Sequence, residues 1–316
     1  MNKVFLLTCA VILFTMSNCS KNHLKYPVAR KSDTFDVYFG QKIQDPYRWL
    51  ENPNSKETKK WIAEEKKLTF DYLNEIPFRE HIKKRLYQVY NYPKMTCPFK
   101  KAGRYFFLKN SGLQNQDILY LQENLDSVPK ILLDPNQLDE EGKISLNEYK
   151  ISKNGKFLAY ALSTGGSDWR EIYIKNIDSG EIMPDTVKWV KFSNIAWYKD
   201  GFFYSRYPKS NPDKNLTSTS KNHQIFYHKI YTSQSEDLLI FENRDFPGRI
   251  LSATVTHDEK YLIIEEAEST YGNQIYIKKL VSESNPVVCI SETFESENHI
   301  IGNINDIFFL IQMFPK

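Results

Sequence analysis

The sequence predicts a mainly β protein in which an α-helical segment precedes a series of four-stranded β-propeller units. The first observation is a polar turn with Gly, Asp or Asn before a short apolar strand, which recurs at roughly fifty-residue steps, a period typical of propellers. The second is a strand of alternating polarity after each of the first four such strands. The third is an aromatic content of 14%, which favours β-structure. The first aromatic residues of the five recurring strands are Tyr105, Phe157, Phe202, Tyr261 and Phe308.

The remaining strands of each unit follow from the same periodicity. The alternating strands are predicted at Asp117–Gln122, Glu171–Asn176, Gln224–Lys229 and Gln274–Lys279. Shorter outer strands are predicted at Lys130–Leu133 and Leu238–Phe241, and strands before the polar turns at Glu148–Ser152, Asn194–Tyr198 and Ser252–Thr256. This gives about four blades and the first two strands of a fifth. A β-sandwich is the alternative, but it would not repeat the whole order of turns and strands.

A helical period precedes the strands, from Asn54 to Tyr90. Trp61, Leu68 and Tyr72 recur at helical spacing, and Pro77 suits the first turn of a second helix. Because two amphipathic helices cannot bury both of their apolar stripes on each other, we expect a larger body to cover them.

The first nineteen residues have the pattern of an export signal. Lys3 precedes an apolar run from Val4 to Phe14, which is too short to span a bilayer. The residues after this run, Met16–Ser20, resemble the end of a lipoprotein signal, in which Cys19 becomes the lipid-bearing residue. Two acyl chains on Cys19 would anchor the protein in a membrane. We therefore predict a signal peptide at 1–19 and an exported bacterial protein, located in the periplasm or anchored in the membrane. The segments that follow are predicted to be helical over 20–91 and a propeller over 92–316.

Composition and motifs offer no catalytic constellation. With a net charge of +3 and no long Lys/Arg run, the sequence has no nucleic-acid patch. No Gly-x-Ser-x-Gly elbow, phosphate-binding loop or metal-ligand spacing occurs, so we predict no catalytic residue, no metal and no cofactor in this chain. Its own residues should not hydrolyse peptides.

Several titratable residues receive structural interpretations. Each of the six histidines is read as a surface or turn residue, and His223 and His228, five apart on a strand-like stretch, make a poor metal pair. Glu265 and Glu266 are expected to face solvent. Cys97 and Cys289 are expected to be buried small hydrophobic residues. The other two cysteines lie in the predicted signal.

Several short motifs together resemble the N-terminal portion of the prolyl oligopeptidase family of serine peptidases. They stand in the order and spacing expected of that family and cover residues 26 to about 310: Asp45–Glu51, Tyr92–Lys94, Gly112–Gln116, Gly166–Trp169, Val190–Ser193 and Gln234–Asp237. The resemblance implies cleavage of short peptides after proline, with a seven-bladed propeller limiting access to an α/β-hydrolase domain. It also implies that the helical segment packs on that domain and that the Ser/Asp/His triad lies beyond the propeller.

The resemblance also assigns two substrate-binding residues. Phe192 matches an aromatic residue that lines the pocket for a peptide side chain upstream of the proline, and Asp168 matches a carboxylate that pairs with a substrate-binding arginine of the hydrolase domain. A buried blade residue is the alternative for Phe192, and a turn residue bonded to its own backbone is the alternative for Asp168. Ile250 and Thr270 match further pocket positions more loosely.

Three interpretations of the chain remain open from its sequence. It is a prolyl oligopeptidase truncated by a frameshift or premature stop, an exported or lipid-anchored binding propeller without catalysis, or one half of an enzyme completed by a separate hydrolase chain. We rank the binding propeller below the truncated enzyme, because a binding module has little use for helices shaped to meet a hydrolase domain.

Overall fold

The computed structural model describes residues 24–209 and 220–315, which divide into two compact units between Lys84 and Arg85. The predicted signal and its Cys19 lie outside the described residues. None of the helices in the two described stretches combines the length and apolar character needed to cross a bilayer. The predicted domain boundary at residue 91 stays a prediction.

The first unit contains a β-hairpin and helices. Strands β1 (Phe35–Tyr38) and β2 (Gln41–Gln44) pair antiparallel, and a 3-10 turn follows at Arg48–Glu51. Helix α1 spans Lys56–Asn74 and helix α2 spans Arg79–Tyr90, across the division between the units. The Ser55 hydroxyl accepts from the Thr58 N–H and caps α1, as expected at a helix N-terminus.

The Asp45–Glu51 motif has a structural role within this unit. Arg48 donates from Nε to Asp45 Oδ2 (2.7 Å) and from Nη1 to Asp36 Oδ1 (2.9 Å), so one guanidinium ties the turn to the hairpin. Trp49 Nε1 donates to the carbonyl oxygen of Arg30 at 2.8 Å. These contacts explain why an arginine and a tryptophan stand next to each other here.

The predicted apolar stripes on both helices are partly exposed, with Trp61 and Leu68 of α1 half-buried. Ile62, Phe70 and Tyr72 on α1 are exposed, as are Ile82 and Leu86 on α2. Burying such side chains stabilises by about 1.5–3 kcal/mol each relative to full exposure. The helices therefore carry surface that a further body could cover.

The second unit is a succession of antiparallel sheets, each built from strands that follow one another in sequence. The strands are β3 (Lys94–Met95), β4 (Phe99–Lys101), β5 (Arg104–Asn110), β6 (Ile118–Gln122) and β7 (Lys130–Leu133) in the first sheet; β8 (Ile144–Ile151), β9 (Phe157–Thr164), β10 (Arg170–Asn176) and β11 (Ile182–Val190) in the second; β12 (Ala196–Tyr198), β13 (Gly201–Arg206), β14 (Gln224–Lys229) and β15 (Leu238–Glu242) in the third; β16 (Ile250–Val255), β17 (Tyr261–Ala267), β18 (Asn273–Lys279) and β19 (Val287–Ser291) in the fourth; and β20 (Glu297–Ile304) and β21 (Ile307–Met313) in the fifth. In the first sheet β3 and β4 both pair with β5. A single residue pair, Val190 with Arg206, joins β11 of the second sheet to β13 of the third.

The core lies between consecutive sheets. Leu119 of the first sheet and Leu158 of the second share one buried cluster, and Ile172 of the second and Phe202 of the third share the next. Further clusters join the third sheet to the fourth and the fourth to the fifth. Sheets that pack face to face in sequence order are the blades of a propeller, which confirms the predicted fold class.

The polar turn that marks the repeat has a physical basis. In the second sheet the Ser152 hydroxyl donates to Asn154 and accepts from the Phe157 N–H at 2.9 Å. In the fourth sheet the Thr256 hydroxyl donates to Asp258 and accepts from the Tyr261 N–H at 3.1 Å. A hydroxyl, an Asn or Asp two residues later, and an aromatic five residues later thus close the same turn twice.

Candidate functional site

Asp168 and Phe192 lie at one edge of the second sheet. Asp168 lies in the connection between β9 and β10, and Phe192 lies just beyond the end of β11. Because β10 and β11 are antiparallel and Arg170 pairs with Val190, the residues before β10 and after β11 meet at this edge. The structure therefore brings both predicted site residues to one place.

Lys191 connects the two predicted residues. Its Nζ is 3.7 Å from Asp168 Oδ2 and 5.0 Å from the centroid of the Phe192 ring. The Lys191 side chain is 17% exposed and that of Asp168 is 68% exposed. The carboxylate is thus accessible, while the ammonium is largely covered, partly by the Trp169 ring at 5.4 Å.

Aromatic side chains from three segments support this edge. Trp169 meets Trp189 and Tyr207 edge-on, with ring centroids 6.1 Å and 6.0 Å apart. A cavity of about 610 Å³ adjoins the Asp168 loop, and its lining includes Trp169, Arg170 and Trp189. Aromatic walls with a few charged groups are typical of sites that accept a small ligand.

The backbone at Phe192 is unusual. Phe192 has a φ of +51°, in the left-handed region that non-glycine residues seldom adopt, and the residue is 43% exposed. The Trp189 φ is +64°. Such conformations cost about 1–3 kcal/mol each and persist where neighbouring groups enforce them, often at functional sites. The exposure excludes the alternative that Phe192 is a buried blade residue.

Two hydrogen bonds hold the chain on either side of Phe192. His223 Nε2 donates to the carbonyl oxygen of Lys191 at 3.0 Å. The Ser205 N–H donates to the Ser193 hydroxyl at 2.7 Å. Both donors lie in or next to the third sheet, so the Phe192 segment is fixed from the neighbouring blade.

His223 is buried, and its prediction as a surface or turn residue was wrong. The residue is 2% exposed, and its ring stacks on Tyr207 with centroids 4.3 Å apart. Its Nδ1 accepts from the Leu251 N–H at 2.9 Å, so the proton of the neutral ring is on Nε2. Burial lowers the pKa of His223 to about 4, although its bond to the Lys191 carbonyl opposes the shift.

The depressed pKa predicts acid sensitivity of the folded chain. Since His223 is neutral when folded, its contribution to stability is fully present above about pH 6.5 and is lost as the pH falls to about 4. We expect the His223 contribution to the free energy of unfolding to decrease by about 3 kcal/mol across this window. Urea denaturation at a series of pH values measures it. A His223→Gln chain should lack this component, and an identical pH profile in both chains would contradict the assignment.

Two other buried polar clusters correct the sequence-based reading. His228 lies fully buried between carboxylates, with Nδ1 donating to Asp237 Oδ1 at 2.7 Å and Nε2 lying 3.6 Å from Asp185 Oδ2. The Tyr204 hydroxyl donates to Asp237 Oδ2 at 2.5 Å, and burial followed by the Asp237 charge raises the pKa of Tyr204. This cluster joins β14 of the third sheet to β11 of the second.

Glu266 is also buried, although it was expected to face solvent. It accepts from Asn243 Nδ2 at 2.7 Å, from the Tyr276 hydroxyl at 2.8 Å and from Arg249 Nη1 at 3.3 Å. Its neighbour Glu265 has its Oε1 3.7 Å from His299 Nδ1. Successive strand residues face opposite sides, which is why only one of the two carboxylates is enclosed.

The cysteines differ from their prediction as buried residues. Cys97 is exposed, and Cys289 is half-buried. Cys97 lies between β3 and β4, outside both strands. Within residues 24–209 and 220–315, no three His, Cys, Asp or Glu side chains are grouped so that they could hold a metal ion.

The fold and the site edge together define a β-propeller of four-stranded blades, with an exposed aromatic residue and an exposed carboxylate on the connections of its second blade. Residues 26–312 match the family model of the prolyl oligopeptidase N-terminal β-propeller domain. The chain belongs to the prolyl oligopeptidase family, as its motifs predicted.

Known relatives support this membership and show how much of them the chain represents. It is 40% identical over 308 residues to a prolyl endopeptidase of Elizabethkingia miricola, covering 96% of this chain and 43% of the relative. It is 33% identical over 323 residues to prolyl oligopeptidase A of Amanita bisporigera, covering 90% and 42%. The chain therefore spans less than half the length of these relatives.

A solved structure agrees with the fold. Prolyl oligopeptidase B from Galerina marginata, bound to a 25mer macrocyclization substrate, superposes with a TM-score of 0.78 at 29% identity. The match covers 91% of this chain and 44% of that one.

Sequence reasoning missed Lys191, Trp169, Trp189 and His223 as parts of the site edge. An antiparallel pairing of β10 with a strand ending at Val190 would have placed Lys191 beside Asp168, but β11 was not predicted. The burial of His223 depends on partners in two other segments, Lys191 and Leu251, which no local pattern indicates.

Proposed function

We propose that this chain is the N-terminal part of a serine endopeptidase that cleaves short peptides after proline, and that it supplies substrate contacts while the chemistry resides in an α/β-hydrolase domain. Relatives named prolyl endopeptidase and prolyl oligopeptidase support the reaction class. The chain itself has no Gly-x-Ser-x-Gly elbow to present a nucleophile. We expect the chain alone to be inactive.

The observation that carries the substrate contact is the exposed Phe192 ring on an enforced left-handed backbone. A rigid, accessible aromatic ring offers apolar area to a peptide side chain upstream of the proline at a low entropic cost. Asp168 is the second contact: its exposed carboxylate is available to a basic group of the hydrolase domain, and Lys191 holds it at the same edge.

The hydrolase domain is the proposed partner of helices α1 and α2. Exposed apolar side chains on α1 and α2, among them Phe70 and Leu86, would be buried by such a domain. Export through the 1–19 signal, with lipid attachment at Cys19, remains part of the proposal and rests on the sequence pattern alone.

A chimera tests the contact. Residues 92–312 of this chain replace the matching part of the Elizabethkingia miricola prolyl endopeptidase, and hydrolysis of peptides with an aromatic residue upstream of Gly-Pro is measured. We expect Phe192→Ala to lower kcat/KM about tenfold, chiefly through KM, because an apolar contact worth about 1.4 kcal/mol is lost.

Leu125→Ala is the matched control, since Leu125 is an exposed apolar residue on the turn between β6 and β7. Asp168→Asn in the same chimera tests the second contact by its effect on KM. Equal kinetics for Phe192→Ala and Leu125→Ala would reject Phe192 as a substrate contact.

A further inference from the structure

One buried imidazole joins three blades next to the candidate site. His223 precedes β14 of the third sheet. Its Nε2 donates to the Lys191 carbonyl beyond the end of the second sheet (3.0 Å), and its Nδ1 accepts from the Leu251 N–H in the fourth (2.9 Å). Both ring nitrogens are therefore engaged with backbone groups of neighbouring sheets.

The ring has no freedom to exchange these partners. It is stacked on Tyr207 at a centroid distance of 4.3 Å and is almost completely buried. A carbonyl can only accept and an N–H can only donate, so turning the ring over would leave both backbone groups facing the wrong nitrogen. Leaving buried groups unpaired is unfavourable, which keeps a single tautomer and orientation.

The bond from His223 to the Lys191 carbonyl constrains Phe192, the next residue in the chain. His223 holds the carbonyl that precedes Phe192, and the Ser205 N–H holds the side-chain hydroxyl of Ser193, so the chain is anchored on both sides of Phe192. Phe192, with its φ of +51°, lies between these two attachments, which limit the conformations that its backbone can adopt. The direction of the exposed ring is thus set by groups behind it.

We propose that His223 is a positioning residue, which holds Phe192 in its left-handed conformation and fixes it relative to β16 of the fourth blade. This inference rests on the proposed function of Phe192 as a peptide contact. His223 itself touches no substrate in this scheme. The alternative is a histidine that only fills space in the core.

Limited chymotrypsin digestion of the full chain distinguishes a positioning role of His223 from a space-filling one. Chymotrypsin cleaves after aromatic residues in segments that open locally, and Phe192 and Tyr231 are both exposed. In His223→Leu we expect cleavage after Phe192 to accelerate about tenfold relative to cleavage after Tyr231, because the Lys191 carbonyl loses its donor. Mass spectrometry of the fragments gives both rates.

The conservative variant and a control complete the experiment. His223→Gln keeps an N–H donor at the position of Nε2 and should restore a near wild-type rate at Phe192. His257→Leu, at an exposed histidine, should leave the ratio unchanged. Equal acceleration in His223→Leu and His223→Gln, or acceleration at Phe192 and Tyr231 alike, would show that His223 only fills space and would overturn the proposal.

A second measurement uses the unaltered chain. The ¹⁵N chemical shifts of the His223 ring at neutral pH should report a single neutral tautomer with the proton on Nε2, and a proton on Nδ1 would overturn the proposal. The proposed function is tested by a different variant, Phe192→Ala, in a hydrolysis assay. A failure there is therefore distinguishable from a failure of His223 to fix the segment.

Discussion

Replacing His228 by leucine is expected to lower the free energy of unfolding by about 3–5 kcal/mol, since two buried carboxylates lose the charged or polar group between them. Asp237 Oδ1 loses the His228 Nδ1 donor, which lies 2.7 Å away. Asp185 Oδ2 loses the neighbouring His228 Nε2, which lies 3.6 Å away. All three side chains are buried, Asp185 on β11 of the second sheet and His228 on β14 of the third, so water cannot take the place of the imidazole. Urea denaturation followed by tryptophan fluorescence measures the change.

Two further variants serve as comparisons for His228→Leu. His257→Leu alters an exposed histidine and should change stability by less than about 0.5 kcal/mol. Asp237→Asn keeps an acceptor for the imidazole and removes one buried charge, so its cost should be smaller than that of His228→Leu. A loss below about 1 kcal/mol for His228→Leu would mean that the cluster does not stabilise the third sheet.

Gly272→Ala is expected to destabilise the chain by about 3–5 kcal/mol, through backbone strain and a steric clash together. Gly272 has a φ of +78°, and a Cβ there would lie 2.0 Å from the carbonyl oxygen of Phe294 and 2.7 Å from its carbon. Because these are backbone atoms, no side-chain rotation relieves the overlap. Thermal unfolding followed by circular dichroism gives the comparison.

A second glycine separates the two causes. Gly180 has a φ of +75° with no heavy atom within 4 Å of a Cβ placed there. Gly180→Ala should therefore cost only the strain of the left-handed backbone, about 1–2 kcal/mol. If both substitutions had the same effect, the close approach of Phe294 would not contribute.

The blades could be predicted because their signals are local. The outer strand Lys130–Leu133 and the alternating strand Gln224–Lys229 have the predicted bounds in the structure. A turn hydroxyl such as that of Thr256 bonds to residues two and five positions away, so the whole device lies in one short stretch of sequence. Period and turn chemistry therefore suffice for the fold class.

Burial of polar residues could not be predicted in this way. His223 and Glu266 are enclosed because distant segments supply matching groups, such as the Leu251 N–H for His223 and Arg249 for Glu266. A buried polar group is stable only when its partners are in place, and those partners are set by the packing of the blades. The local sequence around His223 and Glu266 does not show these partners, so both residues were predicted to be surface or turn residues.

The candidate site could be predicted only in part, because the sequence identified two of its residues but not their proximity. Phe192 and Asp168 were identified through a family resemblance, and the structure adds that Lys191 links them at one sheet edge. Their proximity follows from the pairing of β10 with β11, a long strand that ends at Val190. Since the sequence did not reveal that strand, it could not show that the two residues share an edge.

We propose that this chain supplies peptide contacts and that the bond-breaking groups lie in a hydrolase domain. The direct measurement is release of p-nitroaniline from benzyloxycarbonyl-Gly-Pro-p-nitroanilide by the purified chain, with the chimera built on the Elizabethkingia miricola prolyl endopeptidase assayed beside it. We predict no release above background from the chain and clear release from the chimera. Proline-specific hydrolysis by the chain alone, reduced by Phe192→Ala, would contradict the claim.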